Sequence, residues 1–242
     1  MNQEYYDAIG FKMLDTFRNF FPVEVNLYSE DIDNSLKINY NVENFLSELG
    51  ESRARGFAYK AYSLIDAFEK DCDRIIFVDA DIILFQPIDI IFLDNLMSDQ
   101  ISTYIGVTHP KFGSHADSCF FILNKNHPFF EQFAKEYIRI YEERIILDES
   151  KFVKPNDSYV LAHCIQYAEQ HGYKSRDLHP ERKSLSPIHE TVLGNHMRHF
   201  KASRKVNGSI FKHIDKAIEG IRKGKDAGKV LERFDRRVRQ EK

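Results

Sequence analysis

Cysteine is scarce. The 242 residues hold three, Cys72, Cys119 and Cys164, widely spaced and in apolar or helical contexts. That pattern excludes a disulfide framework and a zinc-ligand cluster, and it fits a reducing cytosol. Tryptophan is absent altogether. No apolar run reaches the roughly 20 residues of a membrane-spanning helix, and the longest is interrupted by two aspartates. The opening residues MNQEYYDAIG lack a basic segment followed by an apolar core, so no signal peptide is expected.

What is present is globular. Apolar residues make up 43% and charged residues 29% of the chain, which argues against wholesale disorder. The length suits one α/β domain with ample chain for a core. The net charge of −3 hides an asymmetry. From Lys201 to the end there are 14 Lys/Arg against 6 Asp/Glu, a balance of +8, which leaves −11 for the rest. A basic tail on an acidic body suggests an anionic partner, nucleic acid or a membrane surface. The plainer reading is a solvated terminal helix.

The chain is organised around Arg74-Ile75-Ile76-Phe77-Val78-Asp79-Ala80-Asp81-Ile82-Ile83-Leu84-Phe85. Its β-branched and aromatic run reads as a buried strand. Unpaired, two aspartates there would cost several kcal/mol to bury, so they are expected to be paired, neutralised or bound to a cation. Ligands of open α/β sheets sit at the carboxyl ends of strands. Asp79 and Asp81 at such an end offer hard oxygens to Mg²⁺ or Mn²⁺. The alternative is a pair that caps a neighbouring helix or meets a lysine. Asp31-Ile32-Asp33 and Asp71-Cys72-Asp73 share the spacing but read as solvated turns.

Before this stretch, residues 3–20 place Tyr6, Ile9, Met13, Phe17 and Phe20 on one helical face, which Pro22 ends. Residues 23–28 read as a short strand. Residues 31–55 read as a surface loop, with a short helix over 42–49. Residues 56–70 form a better helix, with Phe57, Lys60, Ala61, Leu64, Ile65 and Phe68 on one face. Lys60 is the odd member. It either snorkels from the helix edge or reaches the aspartate pair or a phosphate.

After it, residues 88–98 form a short amphipathic segment and 103–108 the next strand. Residues 109–116 read as a loop, and Asp117 and Ser118 lead into a strong strand over 119–124. Such a loop beside a buried strand suits a sugar or acceptor contact. Pro128 opens a long helix. Pro155-Asn156-Asp157-Ser158 opens another, where Asp157 reads as a cap. Residues 173–178 suggest a strand and 181–195 a loop. The tail from Asn207 is mostly helix former, with Ile210, Ile214, Ile218 and Ile221 on one face and an exposed or partner-binding end after Gly224.

The second informative stretch is His196-Met197-Arg198-His199-Phe200-Lys201-Ala202-Ser203-Arg204-Lys205, about 120 residues beyond the aspartates. The run IIFVDADIILFQPI resembles the metal-binding segment of GT-A nucleotide-sugar glycosyltransferases. The run from His199 to Lys205 resembles the His-Phe-x-Gly-x-x-Lys ending of the glycogenin and bacterial galactosyltransferase group. Ala202 stands where that group has Gly, and the Pro-Trp that often follows the Lys is absent.

The resemblance implies an α/β fold, a GT-A (Rossmann-like) mixed sheet flanked by helices. The catalytic domain would cover 1–206, its first strand reduced or missing, and 207–242 would be a basic helical extension. It implies a metal site of Asp79, Asp81 and His199, with His196 as local competitor. Lys205 would face the diphosphate, with Lys201 and Arg204 adding charge. Asp117 would accept from a sugar hydroxyl, and Asp157 at its helix start would point at the reacting sugar carbon. The implied enzyme is a cytoplasmic hexosyl- or pentosyltransferase using Mn²⁺ or Mg²⁺ and a nucleotide-sugar donor, a UDP-sugar, with retention. The acceptor would be a saccharide, a lipid-linked glycan, a protein or modified DNA. The alternatives are a non-catalytic binding module on the same scaffold and a Mg²⁺-dependent nucleotidyltransferase.

Overall fold

The computed structural model describes residues 6–23, 25–28, 52–97, 99–109, 113–148, 150–152, 154–181, 187–200 and 209–240. The chain divides into two compact units. The first holds residues 26–79 and 94–187, and the second holds 2–25, 80–93 and 188–242.

The first unit is built on a four-stranded mixed sheet. Its strands are β1 (Arg74–Val78), β3 (Ser102–His109), β4 (Gly113–Asn124) and β5 (Ser175–Asp177), in the order β1-β4-β3-β5. β1 and β3 run antiparallel to β4, and β5 runs parallel to β3. Helices α2 (Ser52–Phe68), α4 (Phe130–Glu142) and α5 (Asp157–Gln170) cover the sheet. On α2, Ala58, Ala61, Tyr62, Leu64, Ile65 and Phe68 repeat every three or four residues. They meet Phe133, Tyr137 and Ile140 of α4 and Val160, Leu161, Cys164 and Ile165 of α5. Each large apolar side chain removed from water contributes about 1.5–3 kcal/mol.

β3 and β4 pair in register from His109↔Gly113 to Ile105↔Asp117, and then Tyr104 pairs with Phe121. Residues 118–120 therefore leave the β3 ladder as a bulge, which re-aims side chains. β1 answers the same segment from the other side, with Val78 opposite Phe120 and the Asp79 N–H donating to the Cys119 carbonyl at 2.8 Å.

In the second unit, α1 (Phe11–Phe20) follows a π-helical turn over Tyr6–Gly10. Strands β2 (Ile82–Leu84) and β6 (Met197–His199) form an antiparallel ribbon. Backbone bonds lengthen it at both ends, from Phe85 N to His196 O at 2.8 Å and from Phe200 N to Asp81 O at 2.9 Å. α1 packs on β2, and the Leu84 N–H donates to Thr16 Oγ1 at 3.2 Å. Helices α6 (Ser209–Arg222) and α7 (Ala227–Gln240) pack on each other. Gly224 takes φ +79° after α6, a conformation that favours glycine. Helix α3 (Ile90–Met97) returns the chain to the first unit.

Three expectations change. Residues 25–28 form no strand beyond an isolated bridge at Tyr28, and Val23 is 39% exposed, so the segment has no buried face. Among the described residues no strand precedes β1. Of the loop expected over 109–116, His109 and residues 113–116 are strand, because the β3–β4 ladder satisfies their backbone groups, and 110–112 lie outside the described residues. The chain end is not simply an exposed helix. Leu231 and Phe234 of α7 are buried, with Phe234 against Phe85 and Phe200 at ring distances of 5.1 and 5.9 Å. Residues 29–51, where a loop and a short helix are expected, lie outside the described residues.

Candidate functional site

In the first unit the polar centre is Lys60. Its Nζ lies 2.7 Å from Asp79 Oδ1 and 2.8 Å from Asp157 Oδ2, and it donates to Ser118 Oγ at 3.0 Å. Those three partners match the three donors of an ammonium group. The charge also lies 5.1 Å from the centre of the Phe77 ring. Each element supplies one part. α2 presents Lys60 from the edge of its apolar stripe, β1 ends at Asp79, the β4 bulge brings Ser118, and α5 starts at Asp157. Ser118 Oγ is also 2.9 Å from Ser158 Oγ.

The snorkelling reading of Lys60 is thereby corrected. Its side chain is only 17% exposed and is ringed by carboxylates. Burial works against its charge, but Asp157 and Asp79 outweigh that and hold Lys60 above the ordinary lysine range.

The cap reading of Asp157 is corrected as well. Asn156 is the N-cap, accepting from Tyr159 N at 3.2 Å. Asp157 is the first helical residue and is 3% exposed. The positive end of the α5 dipole favours a carboxylate there. Among the described residues its Oδ1 accepts no hydrogen bond. A cavity of about one water's size adjoins it, lined by Lys60, Ser118 and Tyr137 among others. Burial, with the Asp157 charge, pushes the Tyr137 hydroxyl well above its usual value.

Asp117 is half-buried on β4, and its Oδ1 accepts from Cys119 N at 3.1 Å. Cys119 is fully buried, and burial together with the charges of Asp117 and Asp79 pushes its thiol up. A thiol held neutral is no nucleophile. Asp71, Cys72 and Asp73 are exposed, as expected for a solvated turn.

In the second unit the ribbon brings Asp81 and His199 together. Ile82 sits opposite His199, so Asp81 lies beside the end of β6. His199 Nε2 is 3.1 Å from Asp81 Oδ1, and the two side chains are only 8% and 6% exposed. One hard oxygen and one imidazole nitrogen thus share a nearly dry position, a mixed donor pair that fits Mn²⁺ better than the oxygen-demanding Mg²⁺.

His196 does not join this pair. Its Nδ1 is 3.1 Å from the Pro87 carbonyl, and its ring lies 4.9 Å from that of Phe92. The carbonyl only accepts, so the proton sits on Nδ1. Arg198, between the two histidines, donates from Nε to both carboxylate oxygens of Asp235 at 3.1 and 3.0 Å and from Nη1 to Met197 O and Gly194 O. Lys201, Arg204 and Lys205 lie outside the described residues.

Sequence reasoning missed Ser118, Ser158 and the Arg198–Asp235 pair. The two serines carried a faint signal, each directly following an aspartate in the sequence. Arg198 and Asp235 carried none, being ordinary charges 37 residues apart.

No family model matches the sequence, and no curated protein does. Among solved structures the chain is similar to the apo form of mouse xyloside xylosyltransferase 1, at 13% identity and a TM-score of 0.45, over 72% of this chain and 80% of that one. It is also similar to the galactosyltransferase LgtC in complex with donor and acceptor sugar analogues, at 12% identity and a TM-score of 0.37. That match covers 59% of this chain and 63% of the other, under two thirds of its length.

Proposed function

We propose that the chain is a metal-dependent glycosyltransferase of the GT-A type. It transfers a sugar from a nucleoside-diphosphate donor, a UDP-sugar, with retention of configuration. The observation that carries this reading is the Asp81–His199 pair. A carboxylate and an imidazole far apart in sequence share one nearly buried position at 3.1 Å, and they are the residues that the two motif resemblances name as ligands. Asp79, two residues before Asp81 in the chain, completes the implied ligand set. When bound, a divalent cation there offsets the negative charge that grows on a departing nucleoside diphosphate.

The rest of the reading rests on the chain's own groups. Lys60 lies within ion-pair distance of Asp79 and Asp157, and those two carboxylates hold its pKa above the ordinary lysine range. Asp157 keeps one oxygen without a hydrogen bond among the described residues. A carboxylate so placed stabilises positive charge at a reacting sugar carbon, as in other oxocarbenium-like reactions. Asp117 accepts from a sugar hydroxyl in this reading, and Lys201 and Lys205 pair with the diphosphate. Free thiols at all three cysteines go with a reducing compartment, the cytosol. No helix among the described residues is long and apolar enough to cross a membrane.

The test is calorimetric titration of UDP and several UDP-sugars, with and without Mn²⁺, on the wild type, Asp81→Ala and His199→Ala. Metal-dependent binding lost in both variants is the expected outcome, with free UDP and a transferred sugar as products. A folded wild type that binds no nucleotide in the presence of metal overturns the reading.

A further inference from the structure

The helical pair α6 and α7 ends the chain with an uneven charge balance that only the folded structure resolves. Its acidic residues are all engaged. Asp215 pairs with Lys12, Glu219 with Lys223, Glu232 with Arg236 and Asp235 with Arg198, while Asp226 accepts from the backbone N–H of Lys229 as the cap of α7. Lys216 and Lys225 add to the field around Glu219. Lys212, Lys216, Lys225, Lys229, Arg233 and Arg237 are exposed, and none forms an ion pair with a carboxylate of the described residues. On α7, Lys229, Arg233 and Arg237 are spaced four apart. They form one ridge about 12 Å long, at a rise of about 1.5 Å per residue, and all three are exposed while Leu231 and Phe234 of the same helix are buried.

We propose that this ridge and its flanking lysines are a docking surface for the phosphate backbone of duplex DNA. An unneutralised row of arginine and lysine is the electrostatic footprint of a phosphate polymer. Arginine adds a fork that matches phosphate oxygens in pairs. Insertion into a lipid surface needs an apolar face beside the basic one. Here the apolar residues of both helices, Ile214, Ala217, Ile218, Leu231 and Phe234, are already buried in the unit. Single-stranded nucleic acid is held by exposed aromatic rings, and the described exposed face of α7 carries none. Among duplexes, the B-form major groove is wide enough to receive the flank of a helix, whereas the A-form groove is too narrow. The surface is independent of the donor reading above.

The test uses the full chain, a fluorescent DNA duplex of about 20 base pairs, and anisotropy titrations between about 50 and 200 mM salt. The triple variant Lys229→Gln/Arg233→Gln/Arg237→Gln is compared with the wild type. All three positions are exposed, so thermal unfolding and UDP-sugar binding are expected to stay the same. The wild type should bind with a slope of log K on log salt of about −3 to −5, and the variant should lose about 0.9 of that slope per replaced cation. The affinity of the variant should fall at least about tenfold at the lower salt. An unchanged salt slope in the variant overturns the proposal. So does tighter binding to duplex RNA, or to vesicles of phosphatidylserine and phosphatidylcholine, than to the DNA.

Discussion

The Lys60 ammonium lies 2.8 Å from the Asp157 carboxylate, joining the middle of α2 to the first residue of α5 inside the first unit. This contact turns a position that looks like a helix cap into half of a buried ion pair. It also gives both helices and the end of β1 a shared reason to stay in place.

Removing the lysine leaves the buried Asp157 carboxylate without its cation. Lys60→Met is therefore expected to cost about 3–5 kcal/mol in urea-induced unfolding. Adding Asp157→Asn to that variant should recover part of the loss, because the stranded charge is gone. A single variant within about 0.5 kcal/mol of wild type, the range of an ordinary surface change, would falsify the pairing.

Asn156→Ala should cost only about 1 kcal/mol, the usual value of an N-cap. Asp157→Ala should cost more, because it takes away one of the two carboxylates that pair with Lys60 and leaves a hole. If the two variants unfold at the same urea concentration, Asp157 is acting as no more than part of the cap.

The ribbon carrying Asp81 and His199 is backed by Phe234 of α7, which packs on Phe85 and Phe200. Phe234→Ala should destabilise the chain by about 3–5 kcal/mol, as large-to-small core changes do, and weaken Mn²⁺ binding measured by calorimetry. Metal affinity that stays at the wild-type level would show that α7 does not support the ribbon.

Gly194 sits in the turn before β6, where an added Cβ would lie 2.3 Å from the His189 carbonyl oxygen. Backbone cannot swing aside as a side chain does, so Gly194→Ala should destabilise by at least about 1–3 kcal/mol. A midpoint matching that of wild type in thermal unfolding would show that this turn yields easily.

His196 should give stability a pH dependence. Burial depresses its pKa below the ordinary 6.5, against the opposing pull of the Pro87 carbonyl and Asp89. The unfolded chain therefore takes up the proton more readily than the folded one. The contribution is fully present above pH 6.5 and is lost as pH falls through the folded value. His127 is depressed by burial in the same direction. His196→Asn should remove part of the acid-side slope and leave the part due to His127. Superimposable profiles of unfolding free energy against pH for the two proteins would count against the idea.

The sequence made the β1 strand legible because Ile75 to Val78 are β-branched and aromatic, and it made α2 and α4 legible because their apolar residues recur at helical spacing. Polar partners were less legible. Lys60 looks like any lysine on a helix edge, and its meaning depends on a residue 97 positions later. Asp157 stands in a run where Asn156, Asp157 and Ser158 all suit a cap, and only the start of the helix decides which one takes that place. The sequence reads as strand over 103–108 and 119–124, but the start of β4 reads as part of a loop because His109, Pro110 and Gly113 interrupt the apolar pattern.

By itself, then, the sequence determined the β1 strand and the main helices, which faces are apolar, and which aspartates sit in greasy surroundings. These follow from local periodicity and from the cost of leaving apolar surface in water. The motif resemblance already implied that Asp81 and His199 share a site, whereas the tertiary structure alone decided that Lys60 meets Asp157 as well as Asp79, and that Arg198 holds Asp235. Such meetings depend on strand register and helix packing over long separations in the chain, where the nature of either residue says nothing about the distance between them.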